Sequence, residues 1–294
     1  MPDEEYDFTP ASRLMQVDEI VEIAKVFVAG GVNKIRLTGG EPLVRKDAGE
    51  IIERLSGLGV QLTMTTNATR VHLFIDAMKA AGMKKVNVSL DTLDADTFIL
   101  LTKRDLFEQV RSNIDLLLAE GFDVKVNAVV IRGMNEEEVV PLAGLSLDRP
   151  LHVRFIEYMH LDNSDPEAYR RRFVPGKETR ARIEAVYGPL EPVPHDPTSP
   201  ARVFKIPGAQ GTVGFINPVT EPFCTHCSRL RLTSDKKLRP CLLTDLEMDI
   251  AWAFAAPEPV EALVDAILIA TNRKPAFGNT LPTLRKRVML GIGG

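Results

Sequence analysis

Lys34-Ile35-Arg36-Leu37-Thr38-Gly39-Gly40-Glu41-Pro42-Leu43 reads as a short buried strand, Asn33 to Thr38, running into a glycine turn that carries a carboxylate. Glycines at the C-terminal end of a parallel strand let a ligand approach the backbone, and the turn then faces the mouth of a site. A carboxylate fixed by Pro42 suits an ammonium group, although an ordinary βα loop has the same look. Upstream, Val17-Asp18-Glu19-Ile20 opens a helix that is apolar at helical spacing through Val28 and stops at Gly30-Gly31. Downstream, the pattern predicts helix from Asp47 to Leu58, strand from Gln61 to Thr65, helix from Leu73 to Ala81 and strand from Lys85 to Leu90. Helices from Asp94 and from Phe107 to Ala119 follow, then strands from Asp123 to Ile131 and Leu151 to Ile156. Regular βα alternation predicts parallel strands joined by crossovers, in a barrel or an open sheet.

The stretch from Asp162 to Pro222 shifts in composition, with Pro166, Pro175, Pro189, Pro192, Pro194, Pro197, Pro200 and Pro207 among its prolines, which suggests a boundary; we divide the chain into 1–160 and 161–294. Within that stretch, Val203-Phe204-Lys205-Ile206 and Thr212-Val213-Gly214-Phe215-Ile216 flank a Pro-Gly turn and predict a β-hairpin.

The 294 residues are 45% hydrophobic, enough to bury a large core, and the formal net charge of −4 argues against nucleic acid or an anionic membrane as the main partner. No run approaches eighteen apolar residues, and Met1-Pro2-Asp3-Glu4-Glu5 is acidic where a secretory signal is basic. The expected location is the cytoplasm.

All three cysteines, Cys224, Cys227 and Cys241, lie in one C-x2-C-x13-C arrangement. Such crowding suits a metal better than disulfides. Spacing alone leaves two readings open, a structural zinc site completed by a histidine such as His226 and a 4Fe-4S cluster with one iron free. Arg229 and Arg231, on one side of an extended segment, suit a phosphate. Other strand ends are expected to supply polar groups to the same face: Thr65, Thr66 and Asn67, Asn87 and Ser89, Lys125 and Asn127, and Arg154 with Glu157. Burying a lysine and an arginine near a barrel axis without an anion is costly.

Together, Ile35 to Leu43, Asn87-Val88-Ser89-Leu90-Asp91, Val124 to Asn127, Arg154 to Glu157, the Phe-Cys-x-x-Cys-x-Arg-x-Arg-Leu run and the terminal Gly293-Gly294 resemble the GTP 3',8-cyclases. These are radical S-adenosylmethionine (SAM) enzymes of molybdenum-cofactor biosynthesis. The resemblance spans nearly the whole chain and implies a partial TIM-type (βα) barrel with a C-terminal extension that carries a cluster. It implies that SAM yields a 5'-deoxyadenosyl radical, which takes hydrogen from C3' of GTP so that C3' bonds to C8. It assigns Gly40, Glu41, Ser89 and Met159 to SAM, and Arg36, Thr65, Lys125, Arg154, Arg229 and Arg231 to GTP. Cys224, Cys227 and Cys241 then hold a 4Fe-4S cluster that faces the guanine, and Gly293 and Gly294 reach into the site. Implied partners are an electron donor and a downstream cyclic pyranopterin monophosphate synthase; a homodimer is compatible.

The sequence departs from the family where it starts. There the CxxxCxxC motif of the SAM-cleaving cluster is followed by Met-Pro-(Asp/Glu/Lys), and this sequence opens with Met1-Pro2-Asp3. The first-cluster ligands, the first barrel strand, one GTP-contacting arginine and an aromatic residue are therefore expected upstream, and the sequence as given is expected to be inactive. A longer gene product or a fragment gives this reading; a clusterless, GTP-binding paralogue or a zinc-stabilised α/β protein are the alternatives. Ala68 replaces a usual glycine, which is expected to loosen a turn, and Gly278 stands where histidine is common.

Overall fold

Helix α1 (Val17–Ala29) is buried on both sides. Residues two apart on a helix point about 200° apart, so Val21 and Ala24 enter one core while Ile23 and Val26 enter another. A capping box starts the helix, with the Gln16 N–H donating to Glu19 at 2.9 Å. The computed structural model describes residues 10–161, 164–194, 196, 198–278, 280–281, 285–287 and 289–292. Met1 to Asp3 and the Gly293-Gly294 pair lie outside them.

After α1 the chain alternates as expected: β1 (Lys34–Leu37), α2 (Ala48–Ser56), β2 (Gln61–Thr66), α3 (Ile75–Ala80), β3 (Lys85–Ser89), α4 (Ala95–Thr102), α5 (Phe107–Ala119), β4 (Asp123–Val130), α6 (Val139–Asp148) and β5 (His152–Glu157). Helix α6 was not anticipated. Then come α7 (Pro166–Arg172), α8 (Gly176–Tyr187), β6 (Glu191–Pro192), β7 (Arg202–Lys205) and β8 (Thr212–Ile216).

These strands form one sheet in the order β1-β2-β3-β4-β5-β8-β7-β6. Strands β1 to β5 and β8 are parallel, and the expected hairpin of β7 and β8 joins the sheet through β8 against β5. The sheet thus continues past residue 160. It is a partial TIM-type barrel, its outer face covered by helices. Val86, Val88, Val124, Val126, Ala128, Val130, Val153 and Phe155 point into that helical layer and are at most 2% exposed. Each of these valines and the phenylalanine contributes about 1.5–3 kcal/mol by leaving water. Strand β1 corrects one expectation: its side chains are exposed or half-buried rather than buried, because it is the sheet's edge among the described residues.

The rest of the chain packs on α1 from the other side. It holds a small antiparallel sheet of β9 (Arg231–Leu232), β10 (Lys237–Arg239) and β11 (Met248–Asp249), then α9 (Ala251–Phe254) and α10 (Pro259–Asn272). Leu238, Ile250, Leu263 and Ala266 meet Ile23 and Val26 in the second core. Lys236 pairs with Glu19 at 2.6 Å, and the Met15 N–H donates to the Ser234 carbonyl at 2.8 Å. No described helix is long and apolar enough to cross a membrane.

Candidate active site

Strand alternation sends odd and even positions of β4 and β5 to opposite faces. Val124, Val126, Val153 and Phe155 go to the helices, while Asp123, Lys125, Asn127, His152 and Arg154 line the inner face. Register then builds polar rows across the sheet. Thr65, Asn87, Lys125, His152 and Thr212 form one row, and Ser89, Asn127, Arg154 and Gly214 form the next. Gly214 leaves room for its neighbour, since a Cβ there would lie 3.4 Å from Cγ of Arg154.

Glu157 lies three residues from Arg154 and so faces the other way, which corrects the expectation that they share a face. Its buried carboxylate accepts N–H bonds from Gly176 at 2.8 Å and from Val219 and Thr220 at 3.0 Å, and it also accepts from the Thr220 hydroxyl. Glu157 is a tie between β5, α8 and the loop after β8.

Four arginines meet across the two parts of the fold. Arg36, exposed at the mouth but lined by protein, has its basicity lowered by lost hydration and by the charge of Arg229. Burial and then Arg36 push Arg154 down to about 10, with Asp123 opposing. Burial, Arg229 and Arg36 push Arg231 down to about 10 as well. Arg229 lies 4.9 Å over the Phe223 ring, and its Nη2 is buried with no hydrogen-bond partner among the described residues. Asn127 Oδ1 is in the same state. Lys125 sits below, donating to Asp123 at 2.8 Å; its net shift is downward because burial outweighs that bond. Cations that weaken one another in this way form a site for an anion with several negative charges.

The proposed SAM residues ring the C-terminal ends of the strands. Ser89 ends β3, Met159 lies two residues beyond β5, and Gly40 and Glu41 form the turn after β1. Gly39, at φ +149°, is the residue whose backbone requires glycine; a Cβ at Gly40 would meet nothing within 4 Å. Glu41 clamps two turns, accepting from the Thr66 hydroxyl at 2.8 Å, Asn67 N–H at 2.7 Å and Leu43 N–H at 3.1 Å. Burial outweighs these bonds and raises its carboxyl above the ordinary value. Thr65 accepts from Asn87 at 3.2 Å. The turn at Ala68 is not loose: Ala68 is buried at φ +60°, its N–H bonded to the Thr66 hydroxyl at 3.0 Å and its carbonyl to Asn113 at 2.6 Å. Strain replaces slack there.

Cys224, Cys227 and Cys241 are half-buried thiols, and Cys224 and Cys227 lie close enough to act on Cys241. Burial and the neighbouring Cys224 and Cys227 push the Cys241 thiol up, whereas Cys227 is lowered overall because Arg229 and Lys274 outweigh burial. Among the described residues no three His, Cys, Asp or Glu side chains converge on a single metal ion, and His226 is exposed. An all-thiol donor set suits an iron–sulfur cluster better than a single metal ion, and the partnerless Arg229 and Asn127 atoms leave polar groups for a ligand. Sequence reasoning did not place Lys274, or the Gly278 it had noted, beside these thiols. The Gly278 N–H donates to Cys224 Sγ at 3.5 Å, and the Lys274 ammonium donates to the Arg229 carbonyl at 2.5 Å. Neither has a local signal, because a turn after α10 brings both back across about fifty residues.

A partial barrel with ligand-facing strand ends is the architecture of the radical SAM enzymes, and residues 4–145 match the model of the Radical SAM superfamily. Residues 151–279 match Molybdenum Cofactor Synthesis C. SuiB from Streptococcus suis, solved with SAM bound, shares the fold at TM-score 0.55 and 14% identity, over 91% of this chain and 62% of that one. A GTP 3',8-cyclase from Moorella thermoacetica is 40% identical over 96% of this chain and 88% of its own length. The mitochondrial GTP 3',8-cyclase of Arabidopsis thaliana is 38% identical over 100% of this chain and 76% of its own. The chain belongs to the GTP 3',8-cyclase family.

Proposed function

We propose that this chain binds GTP with its triphosphate on Arg36, Lys125, Arg154, Arg229 and Arg231, with Thr65 beside the nucleoside, and places the ribose near SAM held at Gly40, Glu41, Ser89 and Met159. The observation that carries this is the meeting of Arg36 and Arg154 with Arg229 and Arg231; burial and the neighbouring guanidinium charges lower the basicity of Arg36, Arg154 and Arg231. Charge-assisted, forked bonds to phosphate would replace the hydration these groups have lost. The reaction is the family's: hydrogen is taken from C3' of GTP and C3' joins C8, the first step of molybdenum-cofactor biosynthesis.

Cys224, Cys227 and Cys241 would hold a 4Fe-4S cluster, which when bound supplies an open iron to the guanine. The neighbouring arginines orient the nucleotide toward it. The 294 residues contain thiols for one such cluster only, so a polypeptide of this sequence is expected to bind GTP without cleaving SAM. An electron donor, a downstream cyclic pyranopterin monophosphate synthase and a cytoplasmic location belong to the same proposal; the Arabidopsis relative is mitochondrial by name.

Anaerobic reconstitution followed by iron, acid-labile sulfide and zinc analysis tests the cluster. One 4Fe-4S cluster per chain is expected, with no 5'-deoxyadenosine formed from SAM, dithionite and GTP. Zinc without sulfide would overturn the cluster, and 5'-deoxyadenosine would overturn the assignment of Cys224, Cys227 and Cys241 to nucleotide binding.

A further inference from the structure

The turn that follows α10 returns to the cysteines at two points. At one, the Lys274 ammonium donates to the carbonyl of Arg229, two residues beyond Cys227. At the other, the Gly278 N–H points at Cys224 Sγ, 3.5 Å away. Position 278 is also crowded. A Cβ built there would lie 2.9 Å from Cβ and 3.0 Å from Cδ1 of Leu243, and 3.4 Å from Cys241 Sγ. Glycine is therefore needed not for an unusual φ but for close approach of its backbone to two of the three sulfurs.

We propose that Lys274 and Gly278 are positioning residues that raise the reduction potential of the cluster held by Cys224, Cys227 and Cys241, resting on the cluster reading above. Reduction adds one electron, taking a 4Fe-4S cluster from the 2+ to the 1+ state, with dithionite as donor in the test. An N–H bond to a ligand sulfur and a nearby fixed cation both favour the more negative state, and hydrogen bonding and local charge are among the terms that set such potentials. Lys274 has a second effect, since its bond to the Arg229 carbonyl fixes the backbone that carries the proposed phosphate-binding arginine.

EPR-monitored redox titration of the reconstituted protein reads this directly. Lys274→Met should shift the midpoint negative, and Lys274→Arg should leave it near the wild-type value. Gly278→Ala should also shift it negative, because Leu243 and Cys241 force the residue outward and lengthen the N–H to sulfur bond. Adding Leu243→Ala to Gly278→Ala should restore much of the shift by making room. Unchanged midpoints in both Lys274→Met and Gly278→Ala, with full iron and sulfide, would overturn the proposal. So would loss of the cluster from Lys274→Met with retention in Lys274→Arg, which would make Lys274 an assembly residue instead. Failure of wild type to take up iron and sulfide would overturn the underlying cluster reading, a separate result.

Discussion

At the scale of single residues the site trades stability for binding. Arg154 and Arg231, held down to about 10, well below the ordinary guanidinium value, are charged at neutral pH at a cost to the fold. The sign follows from the folded state preferring the neutral form: this destabilisation is present at pH 7 and is relieved only as pH rises above about 10. Arg154→Met should therefore raise the melting temperature of the ligand-free protein, by the equivalent of about 1 kcal/mol after solvent screening, while GTP no longer adds its usual stabilisation. Calorimetry with and without GTP checks both halves. Asp123 has the opposite sign. Burial opposes ionisation, but bonds from His152 and Lys125 hold its carboxyl well below the ordinary 3.8. Its contribution is present above about pH 4 and is lost as pH falls below it. Asp123→Asn should cost ~1–2 kcal/mol at pH 7 and flatten the acid side of the stability curve, as denaturant titrations between pH 7 and 3 would show.

At the scale of elements, the strands were legible because alternation is strict in β4 and β5, and every proposed nucleotide-binding residue on them lies at an inner-face position. Helix α6 was hidden by Pro141 and Gly144. Pro141 sits in the first turn, where its missing N–H costs nothing. Gly144 lets α6 approach α8, since a Cβ there would lie 2.8 Å from the Tyr187 hydroxyl oxygen. The prolines read as a boundary conceal α7 and α8, each of which starts beside one: Pro166 opens α7 and Pro175 precedes α8. Helix α1 was visible as a helix, but its double burial was not, because the partner for Ile23 and Val26 comes from residues 238–270. Ile23 is 1% exposed. Ile23→Ala should destabilise by about 2–5 kcal/mol. Because its cavity would open between the barrel and the C-terminal unit, it should also make that unit more protease-sensitive and weaken GTP binding. A loss of stability with unchanged proteolysis and affinity would contradict this role.

At the scale of the whole molecule, the two halves matter because each supplies cations the other lacks. Arg36 and Arg154 belong to the barrel, Arg229 and Arg231 to the segment leaving the cysteine turn, and α1 is the wedge packed between their cores. Local sequence revealed each pair but not their meeting, which depends on contacts across about two hundred residues; the resemblance supplied that link. The most direct test is a calorimetric titration of GTP, GMP and guanosine into the reconstituted protein and its Arg229→Ala/Arg231→Ala variant. The account predicts that GTP binds far more tightly than guanosine in the wild type, and that the variant loses about 1.5–3 kcal/mol for each charged contact removed. Equal affinities for GTP and guanosine, or a variant that binds GTP as well as the wild type, would contradict it.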